Sequence, residues 1–420
     1  MVTERTRVAV VVLGDIGRSP RMQYHAIALA DAVGAVDLVG YSGSEPCRAV
    51  REHREITVWS LPTRPSEPRR RLPRFLFLVR ALVLAIGRGV SLLWTLLFRI
   101  ETPRFIVVQN PPAAPTLLVA WIVARARSAK LVIDWHNFGC AMLALNVGET
   151  HPAVRLARWY ERSVGRRADA HLCVSQAMQA LLARDWHIAA TVLYDRPGSM
   201  FAPCPPPRRR EVLLRFSDVL QFPALGDATR RPALIVSPTS WTLDEDFSLL
   251  LDAAVRCDER IRRHEAFPHL LVVLTGQGPL RAHYERAMRR LTLQKVHLRT
   301  TWLASDDYPL LLGTADLGLC LHRSASGVDL PMKVADMFGA GVPVCALDYG
   351  PCLAERVRHG ENGLVFSSAV QLAEQLCELF AGFPQQAELL GRLRRTVAEQ
   401  RLGHWADGWK VEAQPVLSQL

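Results

Sequence analysis

What this 420-residue chain lacks excludes several classes of protein before any motif is weighed. None of its nine cysteines stands in a Cys-x-x-Cys pair, which removes the usual zinc ribbons and dithiol redox sites. Cys173, Cys320 and Cys345 lie inside apolar runs and read as reduced, buried thiols in a cytosolic setting. There is no G-x-G-x-x-G or P-loop spacing, no zinc-finger or RNA-binding signature, and no internal repeat or low-complexity tract. No secretory signal opens the chain, because residues 1–7 are polar and the apolar run behind them is only a strand long. Acid is in short supply: Asp+Glu 40 against Lys+Arg 51 gives +11 and a pI ≈ 9.5. That balance points to anionic partners, either phosphorylated substrates or an acidic membrane face. With the basic residues scattered among apolar ones, nucleic acid is the weakest of the three.

A membrane-spanning run is missing too. The nearest approach, FLFLVRALVLAIGRGVSLLWTLLF over 75–98, is broken by Arg80 and Arg88. At about 100° per residue, Arg80, Gly87, Arg88, Ser91 and Thr95 gather in a wedge of about a third of the helix circumference. The remainder is Leu, Phe, Val and Trp. This is the pattern of an interfacial helix, in which Arg80 and Arg88 snorkel to headgroups while an apolar face carrying Leu84 and Trp94 dips into acyl chains. RPSEPRRRLPR (64–74) supplies a polybasic patch just before it. A core helix capped by a solvated loop is the competing reading.

What is present is strand–helix alternation. VAVVVL (8–13) is apolar enough for a strand covered on both faces, and Ser19-Pro20 opens a helix through residue 30. RFIVVQ (104–109), KLVIDW (130–135) and AHLCVS (170–175) read as further strands, with helices over 114–127 and 152–167. On the second of these helices Arg155, Arg158, Arg162 and Arg166 form one basic stripe, either a solvated face or a wall toward lipid phosphates. Texture then changes to Pro- and Arg-rich sequence over 197–232, which, around an apparent short helix, reads as linker plus surface insertion. A second alternating block follows: strands are expected at 233–238, 269–276, 295–303, 315–322, 341–347 and 363–366. The fold class is therefore α/β, with two Rossmann-like open parallel-sheet domains facing a cleft. The expected divisions are 1–196, the linker and insertion 197–232, a second domain 233–395, and a helical segment 396–420, which the resemblance given below implies crosses back toward the first domain.

The richest chemistry lies in HRSASGVDLPMKVADMFGAGVPV (322–344). A strand ends near His322, and the small residues Ser324, Ala325, Ser326 and Gly327 would let a diphosphate approach backbone N–H groups. Lys333 adds a positive charge, and Asp336 one turn later can accept two hydrogen bonds from ribose hydroxyls. A second junction, LGDIGRSPRMQ (13–23), places Gly14, Asp15, Gly17, Arg18 and Arg21 between strand and helix, a setting for an anion or for a plain tight turn. IDWHN offers Asp134 and His136 just past another strand. Asp244-Glu245-Asp246 looks like a metal-binding acid pair, but it opens a helix, where acids complement the dipole.

Pro331-Met332-Lys333-x-x-Asp336 followed by Gly341-Val342-Pro343-Val344 resembles the nucleotide-sugar site of GT-B glycosyltransferases. LGDIGRSPRMQYHA, QNPPAAP, LVIDWHN, SWTLDEDFSLLL, LTGQGPLR and DYPLLLGTADLGLCLH extend the likeness over nearly the whole chain, toward the mannosyltransferases of lipid-linked oligosaccharide assembly for protein N-glycosylation. Two features depart from that pattern: eukaryotic members normally begin with a spanning helix where this sequence begins at the first strand, and the middle insertion is this chain's own. The resemblance implies GDP-mannose as donor and GlcNAc₂ on a dolichyl or other polyprenyl diphosphate as acceptor. It implies inversion to a β-1,4 link, and possible partnership with other mannosyltransferases of the pathway. Donor binding falls to Ser326, Gly327, Lys333, Asp336, Gly276, Gly278, Trp302 and His322. Acceptor-diphosphate binding falls to Gly14, Gly17, Arg18 and Arg21, with Arg18 and Arg21 as bidentate clamps. The base is His136 first, since an imidazole titrates near neutral pH, with Asp15 and Asp134 as alternatives. No tightly bound cofactor and no metal site is expected, with Mg²⁺ at most stimulating from solution. The expected place is the cytosolic face of the endoplasmic reticulum, attached peripherally, or another cytoplasmic membrane surface. A different GT-B donor or acceptor, or a non-catalytic subunit keeping the fold, are the rival readings.

Overall fold

Apolar runs with no polar face form the centre of each sheet, because helices cover both sides of a parallel strand. The computed structural model describes residues 6–62, 74–222, 231–400 and 402–420. Two units emerge, Met1–Tyr194 with Ala406–Leu420, and Asp195–Trp405.

The first unit holds β1 (Val8–Asp15), β2 (Val36–Tyr41), β3 (Ile56–Leu61), β4 (Phe105–Asn110), β5 (Lys130–Trp135), β6 (Ala170–Cys173) and β7 (Thr191–Val192). They form one parallel sheet ordered β3-β2-β1-β4-β5-β6-β7. The direction of winding reverses between β1 and β4, and ligands of such sheets bind beyond the strand ends at that switch point. The ends of β1 and β5, with their Asp15 and Asp134–His136 segments, therefore lie on the functional edge.

The second unit holds β8 (Ala233–Pro238), β9 (Leu270–Thr275), β10 (Val296–Thr301), β11 (Leu317–Cys320), β12 (Val344–Leu347) and β13 (Gly363–Phe366). Their order is β10-β9-β8-β11-β12-β13, again all parallel, with the switch between β8 and β11. Side chains alternate between two cores with the period of two that a strand imposes. Ala233, Ile235, Leu270, Val272 and Leu274 face one core, and Leu234, Val236, Leu271 and Val273 the other.

The 197–232 stretch corrects the expectation of a linker and insertion. Helices Pro206–Arg215 and Ser217–Leu220 form there, and Phe201, Val212, Leu213, Phe216 and Leu220 are buried in the second unit's core. Arg209 and Arg231 both donate to the fully buried Asp316, which Arg394 also reaches.

The helix Arg74–Trp94 forms, and a π-helical turn, Thr95–Arg99, continues it. The expected polar wedge does not hold: Thr95 is buried, as are Leu92 and Leu96 beside it, and Gly89 approaches Pro115 and Val119. Val83, Ile86, Val90 and Trp94 are exposed on the opposite side, within about 80° of arc, while Leu84 is half-buried and Arg88 exposed. The side chain of Arg80 and the polybasic residues 64–73 lie outside the described residues. Among the described residues no helix is long and apolar enough to cross a membrane.

Leu213→Ala tests the status of residues 197–232. A core position costs about 2–5 kcal/mol on truncation, whereas a linker position costs nearly nothing. Chemical denaturation of the second unit should therefore shift to lower denaturant.

Candidate active site

A buried charge cluster of the first unit is built on Asp134, at the penultimate position of β5 and fully buried. Its Oδ2 accepts from Arg21 Nε at 2.7 Å, His136 Nε2 at 2.8 Å and His25 Nε2 at 3.0 Å, and its Oδ1 accepts from Arg21 Nη2 at 2.8 Å. Burial alone would raise the Asp134 carboxyl, but the Arg21 guanidinium and the His136 imidazole overcome it and hold it well below the usual carboxylate range. An ionised carboxylate only accepts, so both imidazoles present Nε2–H to it. His136 is thereby left with its lone pair on Nδ1, which no described residue bonds, and its side chain remains partly exposed.

Three assignments change. Arg21 is 0% exposed and clamps Asp134 and the Leu193 carbonyl, so it is not a bidentate ligand for an acceptor diphosphate. Asp134 is the anion that orients His136 and cannot itself act as base from that depth. Asp15 ends β1 with both oxygens engaged: Oδ1 accepts from the Gly17 and Ser44 amides and Oδ2 from the Ser44 hydroxyl. It shapes the loop instead of taking a proton. Gly17 is required there because a Cβ would come within 2.5 Å of the Ser44 and Glu45 carbonyls. Gly14 has room, and Arg18 stands exposed on the same loop.

Glu161 went unnoticed in the sequence. Buried on the underside of the arginine-bearing helix Pro152–Gly165, it accepts from the Gly139 and Cys140 amides at 2.6 and 2.8 Å and from Asn110 Nδ2 at 2.8 Å. It ties the segment behind His136 to the end of β4. A lone acid on a helix otherwise striped with arginine was the available signal.

In the second unit, the loop after β11 is organised by His322, whose Nε2 meets Asp329 Oδ2 at 2.9 Å and whose Nδ1 lies 3.4 Å from Asp244 Oδ2. Burial pulls its pKa down, but the two carboxylates raise it to about 9, so the ring is an imidazolium at neutral pH. Both ring nitrogens are therefore spent within the protein, and His322 is no direct ligand through its ring. Ser324 and Ser326 donate to Asp329, and the Gly327 amide donates to the Ser324 hydroxyl at 2.8 Å. The Ser326 hydroxyl and the Gly327 amide are thus engaged within the loop, and they reach a phosphate only by exchanging these bonds.

Lys333, on the helix Met332–Gly339, is paired with the buried Glu245, which also accepts from Thr239 Oγ1 at 2.5 Å and the Ser240 amide at 3.0 Å. Asp246 caps the helix Phe247–Ile261. The three acids of Asp244-Glu245-Asp246 are thus divided between His322, Lys333 and a helix end. Gly276 (φ +148°) and Gly278 pack on the Thr239 and Ser240 carbonyls, where a Cβ would stand at 1.8 Å, so they join the ends of β8 and β9. Trp302, just past β10, is 50% exposed and is not a core residue. No described residue bonds the Asp336 carboxyl. Burial first, then the Asp195 carboxylate, push it well above the usual range.

Residues 17–194 match the family described as glycosyl transferase 4-like domain, and residues 241–381 match glycosyl transferases group 1. The chitobiosyldiphosphodolichol beta-mannosyltransferase of Mus musculus is 41% identical over 99% of this chain and 90% of its own length, and that of Homo sapiens 41% over 98% and 92%. This chain belongs to the chitobiosyldiphosphodolichol β-mannosyltransferase family. It is a glycosyltransferase of GT-B fold, an enzyme of hexosyl transfer. An Arabidopsis thaliana relative named UDP-glycosyltransferase TURAN is 42% identical over 99% of this chain and 98% of its own. Among solved structures, Anabaena Alr3699/HepE in complex with UDP-glucose aligns with a TM-score of 0.65 at 16% identity over 99% of both chains. WaaG, a glycosyltransferase involved in lipopolysaccharide biosynthesis, aligns at 0.62 and 15%, over 97% of this chain and 98% of its own. Both show the fold alone.

A pH series on this mannosyltransferase-family chain tests the His322 imidazolium. Its raised pKa contributes stability fully present below about 6.5 and lost as pH rises through about 9, worth about 3 kcal/mol at full extent. The stability gap between wild type and His322→Gln should narrow from pH 7 to beyond 9. A gap constant over that range would show a neutral ring.

Proposed function

We propose that this chain transfers mannose from GDP-mannose to GlcNAc₂ on dolichyl diphosphate, or a closely similar polyprenyl diphosphate, with inversion and formation of a β-1,4 link. The observation that carries the mechanism is the His136–Asp134 pair, in which a buried, ionised carboxylate fixes one imidazole nitrogen and leaves the other unbonded by any described residue. The acceptor hydroxyl oxygen attacks C1 of mannose opposite the departing diphosphate. Its proton passes to His136 Nδ1 as the C1–O bond to phosphate breaks, and Asp134 stabilises the imidazolium that results. GDP leaves with the pair of electrons from that bond.

The second unit supplies the leaving-group side. Lys333 meets the diphosphate charge by exchanging Glu245 for phosphate, joined by Ser326 and Gly327 donors once the loop opens toward it. Asp336, without a partner among described residues, meets the ribose hydroxyls. Trp302 offers an exposed face to guanine. On this reading the diphosphate needs no resident metal, and Mg²⁺ acts from solution.

Attachment is peripheral, on the cytosolic face of the endoplasmic reticulum membrane. Val83, Ile86, Val90 and Trp94 form an exposed apolar stripe that Phe98 extends, its ring 4.6 Å from that of Trp94. Arg88 and Arg99 are exposed on the same helix and its π-helical turn, a combination suited to anionic headgroups over acyl chains.

Incubation with labelled GDP-mannose and a GlcNAc₂-diphosphate-phytanyl acceptor should give a product cleaved by β-mannosidase, and His136→Ala should cut kcat by about 10²–10⁴. A UDP-sugar donor is the second reading, favoured by the name of the Arabidopsis relative; preference for UDP-sugars over GDP-mannose would establish it. The membrane reading has its own check. Ile86→Gln with Val90→Gln and Trp94→Gln should reduce co-sedimentation with anionic liposomes while leaving transfer to a short-chain acceptor intact.

A further inference from the structure

The last residues of the chain reach the His136 cluster from a direction that the mechanism has not used. Trp409, on the helix Trp405–Glu412, is 1% exposed, and its indole Nε1 donates to His25 Nδ1 at 3.2 Å, across 384 residues of sequence. His25 in turn donates from Nε2 to Asp134 Oδ2 at 3.0 Å. The indole N–H can only donate and the ionised carboxylate can only accept. Between them they leave His25 a single state, with hydrogen on Nε2 and a lone pair on Nδ1. A second proton would set N–H against N–H in a position closed to water.

We propose that Trp409 is a positioning residue that keeps His25 uncharged, so that the field of Asp134 left over from Arg21 acts on His136 alone. The inference rests on the reading of His136 as the base. The charges that act on His25 come from Asp134 on β5, Arg21 on its own helix and His136 past β5, while the C-terminal helix presents the neutral indole. Burial already disfavours the imidazolium of His25, against the pull of Asp134. The indole removes the one acceptor through which that imidazolium could form. Were His25 charged, two cations besides Arg21 would compete for one carboxylate oxygen, and His136 would lose support as it takes the acceptor's proton.

Trp409→Phe keeps a ring and removes the N–H, and 3-benzothienylalanine at position 409 does so with nearly the indole's volume. The measurement is ¹⁵N NMR of the histidine rings on the full chain from about pH 5 to 8, alongside the pH profile of kcat/KM. In wild type, His25 should remain neutral throughout and the acid limb should follow one proton. In either variant, His25 Nδ1 should take a proton as pH falls, and the acid limb should follow two. In His25→Gln, whose amide can donate to Asp134 and accept from Trp409, the limb should keep one proton, and adding Trp409→Phe should not change its slope. A His25 that stays neutral in both Trp409 variants, with activity lost evenly across pH, reduces Trp409 to packing and overturns the proposal. A His25 that titrates in the variants while the acid limb keeps its one-proton slope upholds the tautomer lock and overturns His136 as base, so the two failures are told apart.

Discussion

One buried carboxylate organises the first unit. Asp134 accepts four hydrogen bonds from three side chains, two of them on the helix that follows β1 and one just beyond β5. An ion pair removed from water gains little net stability, but loss of either partner leaves a buried charge and costs about 3–5 kcal/mol. The pair therefore acts as a constraint. The helix Pro20–Val33 can sit in one register against β5, because only there do Arg21 and His25 both meet the same carboxylate. His136 inherits its orientation from that fit, and the chemistry assigned to it depends on a contact formed between segments 113 residues apart.

The second unit uses the same physics with the charges exchanged. Its cations, His322 and Lys333, are held by Asp244, Asp329 and Glu245 around loops at the ends of β8 and β11. Each cation is held in place by these carboxylates, so on the proposed reading little ordering entropy remains to be lost when a diphosphate binds. On the proposed reading the cost is competition, since phosphate would have to displace Glu245 from Lys333.

How much of this was legible in the sequence follows from the range of each interaction. Strands such as Val8–Asp15 and Leu270–Thr275 announced themselves through local apolar runs, and so did the order of the second block. β2 and β3 did not, because Val36–Tyr41 carries Asp37 and Ile56–Leu61 is largely exposed at a sheet edge. Residues 197–232 read as linker because proline and arginine dominate their composition, while Val212, Leu213, Phe216 and Leu220 supply a short apolar face hidden among them. The site motifs were placed correctly on strand ends, yet the direction of each side chain was not readable. Arg21 and Arg18 stand three residues apart, one buried on Asp134 and the other exposed, and no local pattern separates them. The partners of His322 and Lys333 come from a different loop, and that of His25 from the far end of the chain.

The helix Arg74–Trp94 shows why a two-sided pattern misleads a reading based on one moment. A core helix needs one apolar stripe, and an interfacial helix on a folded unit needs two, one for its own protein and one for lipid. With both stripes apolar, the polar residues mark neither interface but the boundary between them. That is where the half-buried Ser91 stands, between the buried Thr95 on one side and the exposed Trp94 on the other. Gly89 deepens the inner stripe by letting the helix approach Pro115, and the outer stripe keeps its large residues. Inner packing decides how the helix is held, and only the outer stripe is free to meet acyl chains. Of the leucines that a purely amphipathic reading would send into lipid, Leu96 belongs to the protein.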